Sequence, residues 1–560
     1  MRSLLYLDGK NLQQMKFNHL RCPLLLALLI SIINGMPAIL QAQPADFSTD
    51  LPLVIVNTGA YPIIKDPRNP AMMRIINNGP GQLNHPGDSA REYYGHITIG
   101  IHGESSAEVP KAPYRIELND AAGLNLDVPL LGMPADDDWI MIAPWSDKSM
   151  VRDALSYLLG RSLGQWAPRT RFIELFVNGD YRGVYLLVEK IKQKKTRVPI
   201  SKLKSTDLAG DSLTGGYILR ADKETDLSYP AWETSGPRLA GEFTVRHQFY
   251  DPKGTALAPV QRSYIQSFIT AFEDALSSAS YKDILKGYGP FIDTRSFVDH
   301  MIVTELNKNV DGYKFSTYYF KDRTSKNPTL RMGPLWDYNL AFGNVDYWEN
   351  SQVAPGWMYN DSHRMYWFRR LMSDERFSDA FRCRWHEVSA TTFNTTYINA
   401  AIDSMVNVVK NAAARNFQKW QIMGTYVWPN QFVATTYDQE IAWLKTWIEQ
   451  RINWMNREIP DGCPVVTGLP EVTQSASAFP NPSAGAFFFQ WNHTSALKQL
   501  VIRNPLGQTV HVVAPINESD EFWWDGMGGD GSPAQPGAYL ATLYFEDGTQ
   551  TTIKLIRTSR

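Results

Sequence analysis

The period of the hydrophobic pattern changes twice along the 560 residues of this chain, and these changes decide which elements each part can form. Up to about residue 250, short apolar runs alternate with Gly, Pro and Asn, a pattern typical of strands. From Gln261 to Ile459 the apolar residues recur with a period near 3.6, which is typical of helices. Beyond residue 479, short strand-like runs return about every ten residues. The order predicts an α+β body followed by an all-β sandwich, not a regular βαβ repeat.

Local signals predict individual elements within this frame. Strands are predicted at residues 51–58, 96–101, 114–118, 171–177, 183–188 and 216–220. Asn178-Gly179-Asp180 separates two of them, and an Asn-Gly turn between apolar runs predicts a β-hairpin. Helices are predicted from Gln261, from a cap at Asp293, and over residues 438–459. The first 250 residues should therefore be rich in sheet, and the rest of the body rich in helix.

Composition limits the classes of partner. The chain is too long for one hydrophobic core, so several folding units are expected. Its formal net charge is only -2, so no basic field exists that would attract nucleic acid. Aromatic residues make up 12% of the chain, and their simplest role is core packing.

The N-terminus carries the pattern of an export signal. Basic residues after Met15 precede an apolar run over residues 22–33, and small residues close the segment at Ala42. This predicts a signal peptide over residues 1–42, with Met1 or Met15 as the start. The run is shorter than the roughly 20 residues that span a bilayer, so no transmembrane segment is expected after cleavage. Cys383 and Cys463 would then remain, and either a disulfide or two free thiols is compatible with the sequence.

A linker is predicted at residues 460–478, where Pro, Gly and small polar residues follow the last helix. The tail, residues 479–560, contains the segments 479–483, 500–508, 524–526, 536–540 and 554–556. In this order they resemble the C-terminal sorting domain of the type IX secretion system. The resemblance implies an immunoglobulin-like sandwich that the outer-membrane export machinery reads. Secretion or display on the outer-membrane surface, through the periplasm, is the expected location; an ordinary accessory sandwich is the alternative.

Two aspartates are the main candidates for chemistry in the body, since the common phosphate-loop, zinc and hydrolase motifs are all missing from the sequence. Asp311 follows a predicted helix, and Asp337 is predicted to end the second strand of a hairpin that begins near residue 317. Such a hairpin would bring both acids to one end. Phosphoryl transfer needs one carboxylate to orient the attacking hydroxyl and another to hold magnesium, so the pair is suited to that reaction.

The body, residues 47–459, resembles the CotH kinase-like family, named for a spore coat protein. The blocks that carry the resemblance are residues 100–106, Lys111 with 114–118, 151–155, 178–190, 215–219, 305–321 and 333–343. The resemblance implies an atypical protein kinase that uses ATP and magnesium and modifies Ser residues of proteins. It assigns Asp311 to the hydroxyl and Asp337 to the metal.

Two positions depart from the kinase pattern. Protein kinases place a metal-binding Asn five residues after the catalytic Asp, whereas this chain has Ser316, with Asn339 as a further candidate metal ligand. The family commonly has Arg where this chain has His102, which removes a permanent charge. The candidates for contact with the nucleotide phosphates are Lys111, Arg152, Lys190, Arg220 and Lys223.

Three functional hypotheses follow. The first is an exported kinase-like enzyme that transfers phosphate from ATP to Ser or Thr of an unidentified protein substrate. The second is a noncatalytic surface adhesin or assembly scaffold with a degenerate kinase-like fold, which the scarcity of ATP outside the cytoplasm favours. The third is a glycan-active enzyme with paired carboxylates about 5 to 10 Å apart.

Overall fold

The computed structural model of this chain describes residues 46–59, 61–223, 230–233, 245–463, 476–491, 495–504, 508–513, 521–529 and 531–558. The predicted signal peptide and most of the predicted linker lie outside the described residues. The chain divides into two compact units, of which the first ends at Cys463 and the second begins at Pro464. The described part combines helices with mainly antiparallel sheets, in agreement with the α+β prediction.

The first unit begins with a closed barrel whose strand order is β1-β2-β3-β4-β7-β9-β8. The strands to β9 are β1 (Leu53–Asn57), β2 (Asn69–Ile76), β3 (Tyr93–Ile101), β4 (Tyr114–Asn119), β5 (Val128–Leu130), β6 (Met133–Asp136), β7 (Asp138–Ile142), β8 (Thr170–Val177) and β9 (Asp180–Glu189). Parallel pairing of β1 with β8 closes the barrel, and β5 and β6 form a separate hairpin. Alternate apolar side chains, including Val54, Ile97 and Leu175, fill the interior.

The predicted hairpin is confirmed. Strands β8 and β9 pair antiparallel from Val177 and Asp180 onward. Asn178 and Gly179 both have positive φ, at 51° and 83°, as a primed two-residue turn requires.

A second, five-stranded sheet has the order β11-β12-β10-β13-β14. Its strands are β10 (Tyr217–Ala221), β11 (Ala231–Glu233), β12 (Arg246–Asp251), β13 (Thr317–Lys321) and β14 (Leu330–Met332). Strands β13 and β14 form the predicted hairpin, but the prediction that its second strand ends at Asp337 is wrong. The strand stops at Met332, since Gly333 has a φ of 103° and Pro334 has no N–H to donate to a ladder. Asp337 therefore lies in a loop beyond the strand.

Helices pack against both the barrel and this sheet. Their bounds are α1 (Arg152–Ser162), α2 (Gly210–Leu213), α3 (Pro259–Ser277), α4 (Thr294–Asn307), α5 (Glu349–Gln352), α6 (Tyr366–Met372), α7 (Glu375–Ser389), α8 (Thr395–Lys419) and α9 (Tyr437–Glu458). The predicted cap of α4 is confirmed, because the Asp293 carboxylate accepts a hydrogen bond from the Ser296 N–H at 2.9 Å. Every residue of α4 from Ser296 to Asn307 is buried, so this helix is the centre of the body.

The two cysteines of the body are joined as a disulfide. Cys383 lies on α7 and Cys463 follows α9, with their Cα atoms 4.8 Å apart. The bond ties the end of the first unit to its helical core. None of the helices among the described residues combines the length and apolar composition that crossing a membrane requires.

The second unit contains two antiparallel sheets, with orders β15-β16-β19 and β18-β17-β20-β21. Its strands are β15 (Ala476–Phe479), β16 (Phe487–Trp491), β17 (Leu497–Arg503), β18 (Thr509–Val513), β19 (Glu521–Trp524), β20 (Gly537–Phe545) and β21 (Gln550–Arg557). Phe487 and Trp524 from one sheet share an apolar cluster with Leu500 and Leu543 from the other. The strands agree with the predicted all-β tail, while its immunoglobulin-like class and its sorting role stay predictions.

Candidate active site

Two loops bring Asp311 and Asp337 into one region of the first unit. The first loop follows α4, which ends where Lys308 turns left-handed with a φ of 43°, and the second follows β14. The side-chain amide of Asn309 donates to the backbone carbonyl of Asp337 at 2.9 Å, which links the loops directly. The Ser316 hydroxyl donates to Asp337 Oδ2 at 3.4 Å. Three of the predicted site residues are thus brought together.

The backbone of Asp337 is held from helix α1. Asp337 has a φ of 68°, a left-handed conformation that non-glycine residues seldom adopt. Its N–H donates to the Tyr157 hydroxyl at 3.2 Å, and the next N–H, of Tyr338, donates to Asp153 Oδ1 at 2.7 Å. Asp153 and Tyr157 were not predicted as site residues, although their spacing of four residues places them on one helical face.

The loop of Asp311 is held by a buried arginine. The guanidinium of Arg364 is only 2% exposed and donates to the carbonyls of Val310 and Gly312, which flank Asp311. Burial raises the pKa of Asp311, and the positive charges of Lys223, Arg364 and Lys314 reduce this shift without reversing it.

The carboxyl groups of this region repel one another. Desolvation of its carboxyl group by the surrounding protein, followed by the charge of Asp311, raises the pKa of Asp337 to about 6, although the residue as a whole is exposed. Burial, followed by the charge of Asp337, raises the pKa of Asp153 to about 7. Converging carboxylates of raised pKa favour a cation between them, and oxygen ligands suit magnesium. Asp337, Asp311 and the Ser316 hydroxyl therefore offer oxygen donors of the kind that a divalent cation binds.

Basic residues border the carboxylates on the side of the second sheet. Lys223 acts electrostatically on both Asp311 and Asp337. Arg220 forms an ion pair with Asp222 at 3.0 Å, and the charge of Asp222 also raises the pKa of Asp337. These contacts place two of the predicted phosphate-binding candidates beside the acids.

His102 lies close to Lys190 and Arg220. Burial is the main cause that lowers the pKa of His102 to about 3, and the charges of Arg115, Lys190 and Arg220 add to it. Its ring is 6.3 Å from that of Trp336, the residue before Asp337. His102 is accordingly uncharged at neutral pH, and the neighbouring cations supply the positive charge on this side.

Lys111 is not brought to this group. Its ammonium is buried and donates to the Val184 carbonyl and to Asn416 Oδ1, at 2.6 and 2.7 Å. The first contact is to barrel strand β9 and the second joins the barrel to α8, so the role of Lys111 is structural.

Arg152 has a supporting role in the site. Its guanidinium is fully buried, forms ion pairs with Asp147 and Glu440 at 2.6 and 2.9 Å, and donates to the Ala341 carbonyl. It thereby anchors the loop that continues from Asp337. Asn339, in that loop, donates its side-chain N–H to Ser146 at 3.3 Å.

A second group of carboxylates, Asp136, Asp137 and Asp138, lies at the barrel beside Glu117. The Lys192 ammonium contacts the three aspartates at 3.1, 2.6 and 2.9 Å. Lys190, Lys194 and Arg197 also form ion pairs with these aspartates, so this group is an ion-pair network.

Comparison with known proteins gives one extensive match. The family model described as CotH kinase protein matches residues 99–455. Among solved structures, one similar chain is PorZ, described as an essential bacterial surface component of the type-IX secretion system of human oral-microbiomic Porphyromonas gingivalis. It is 17% identical, and the match covers 15% of this chain and 11% of that one, with a TM-score of 0.13. No curated protein matches the chain.

Proposed function

Because the chain belongs to the CotH kinase protein family, we propose that its first unit transfers the γ-phosphoryl group of ATP to a Ser or Thr hydroxyl of an exported protein. One observation carries the proposal: Asp311 and Asp337, on separate loops, act on each other electrostatically and are linked through Asn309. Phosphoryl transfer depends mainly on positioning and charge stabilisation, and two converging carboxylates supply both when a metal is bound.

Each residue has a distinct role in this proposal. Asp337 would hold magnesium with help from the Ser316 hydroxyl, and the metal would neutralise charge on the phosphates. Asp311 would accept a hydrogen bond from the substrate hydroxyl and take its proton. The bond from the γ-phosphorus to the bridging oxygen breaks as the bond to the substrate oxygen forms, and ADP leaves. Arg220 and Lys223, which border the carboxylates, would meet the phosphates.

The supporting residues explain how this geometry would persist without ligands. Asp153 and Tyr157 hold the backbone at Asp337, and Arg364 holds the carbonyls on either side of Asp311. Groups held in place before the reaction lower its barrier because they need not reorganise during it.

The test compares variants of the full mature chain. The parent should transfer label from radioactive ATP to protein in a magnesium-dependent manner, and Asp311→Asn and Asp337→Asn should each lose about 100-fold or more. Asp403→Asn is the control, since Asp403 is a surface residue of α8 paired with Lys445. A parent that neither binds nucleotide nor transfers label would refute the kinase proposal and favour the noncatalytic scaffold.

We further propose export through residues 1–42 and surface delivery through residues 479–560. The Cys383–Cys463 disulfide supports export, because such bonds persist in oxidising compartments and are rare in the cytosol. Deletion of residues 479–560 should leave the protein in the periplasm. Normal surface display of the truncated chain would refute the sorting role.

A further inference from the structure

Two exposed aromatic side chains stack on each other in the first unit. The rings of Tyr347 and Trp428 are 5.6 Å apart with an interplanar angle of 12°. Their exposed fractions are 46% and 59%. Large aromatic groups are frequent at binding surfaces because they offer a wide contact area with few rotatable bonds.

The pair lies beside the candidate active site. After burial, the charges of Asp311 and Asp337 are among the causes that raise the pKa of Tyr347. The charges of both catalytic candidates therefore act on this aromatic pair.

Buried amides fix the pair relative to the catalytic loop. Asn430, two residues after Trp428, donates to the carbonyl of Ser146 at 2.7 Å and to Asn344 Oδ1 at 2.8 Å. Asn344 in turn donates to the carbonyls of Ser146 and Asn339, at 3.1 and 3.0 Å. Both asparagines are buried. The two aromatic rings are therefore carried on loops that are tied to each other and to the loop of Asp337.

The charge beside the pair is negative. Asp346 accepts a hydrogen bond from the Tyr426 hydroxyl at 2.6 Å, and among the described residues it forms no salt bridge. Two cations lie nearby. Arg364, whose charge also acts on Tyr347, is buried and paired with Asp361 at 3.7 Å. Lys314 lies over the rings of Phe315 and Trp348 at 4.9 and 5.7 Å. Aromatic faces next to an uncompensated carboxylate attract a cation.

We infer that Tyr347, Trp428 and Asp346 form an acceptor-docking subsite that binds a Lys or Arg side chain of the protein substrate. This inference rests on the proposed kinase function and gives it a specificity. An acidic acceptor segment would be repelled by Asp346, Asp311 and Asp337, and an apolar one would leave Asp346 without a partner. The bound cation would place a Ser or Thr a few residues away within reach of Asp311.

Peptide binding to the full chain tests the subsite separately from catalysis. The probes are peptides of Ala and Gly with one central Ser, in which each flanking position is replaced in turn by Arg, Leu or Glu. At least one Arg peptide should bind about 3- to 10-fold more tightly than its Leu and Glu counterparts, and high salt should weaken that preference. Equal affinity of the three peptides at every position, or a preference for Leu, would overturn the inference.

Two variants locate the effect. Trp428→Ala should remove most of the Arg preference, and Asp346→Asn should reduce it while keeping an acceptor for the Tyr426 hydroxyl. The matched control is Trp523→Ala, which removes a 58% exposed Trp of the second unit and should leave peptide affinity unchanged. An Arg preference that persists in both site variants would overturn the assignment. The two proposals can fail separately. If the chain binds Arg peptides at this subsite but transfers no phosphate, only the kinase function is refuted. If it transfers phosphate but shows no Arg preference, only the subsite is refuted.

Discussion

The buried histidine of helix α4 gives a stability prediction that can be worked from the structure. His300 is 3% exposed, its ring lies 6.0 Å from that of Phe368, and neither ring nitrogen has a hydrogen-bond partner among the described residues. Burial alone lowers its pKa from 6.5 to about 3. The folded state therefore keeps His300 neutral at any pH above about 3.

The sign of the effect follows from proton binding. Below pH 6.5 the unfolded chain binds a proton at His300 and the folded chain does not, so the folded state loses stability as the pH falls. Each pH unit in this window is worth about 1.36 kcal/mol, so by pH 4.5 this residue alone removes about 2.7 kcal/mol. His300→Leu should abolish that loss. At pH 7.5 the variant should be at least as stable as the parent, because it removes polar atoms buried without partners.

Thermal unfolding of the full chain at pH 7.5, 6.0 and 4.5 measures the effect, with the second unit's transition as an internal reference. Met301→Leu is the matched control: it changes a neighbouring buried residue of α4 without a titratable group, and its curve should run parallel to that of the parent. If the parent and His300→Leu curves also run parallel between pH 7.5 and 4.5, the argument from burial is wrong.

Three further outcomes are expected. Replacing both Cys383 and Cys463 with Ser opens a loop whose ends are 80 residues apart, and chain entropy predicts that the free energy of unfolding of the first unit falls by about 4.5 kcal/mol. Denaturant unfolding measures this loss, and equal midpoints with and without the bond would contradict the prediction. Arg451→Met removes the ion-pair partner that lies 3.2 Å from the buried Glu305 carboxylate, and should lower the stability of the first unit by about 3 to 5 kcal/mol. If the ion pair is the cause, adding Glu305→Gln should recover part of that loss. Lys111→Met should leave the KM for ATP within about twofold of the parent, whereas a large rise would mean that Lys111 reaches the nucleotide despite its contacts with Val184 and Asn416.

The sequence alone determined most of the local architecture. The Asn178-Gly179 hairpin, the Asp293 cap and the switch from strands to helices all follow from chemistry within a few neighbouring residues. Asp311 and Asp337 could also be predicted as site residues, because their order along the chain matches a family pattern. The end of the second hairpin strand was predicted wrongly, because Gly333 and Pro334 end the hydrogen-bonded pairing before Asp337.

Only the tertiary structure decided which residues meet. Lys111 and Arg152 look alike in sequence as candidate phosphate ligands, yet packing buries both against structural partners. Asp153 and Tyr157 reach Asp337 and its neighbour across about 180 residues of chain, and Tyr347 and Trp428 stack across about 80. Such contacts depend on how whole elements pack, and no periodicity or turn signal in the intervening residues records them. Local rules thus determine the elements of this protein, and packing between distant segments determines its site.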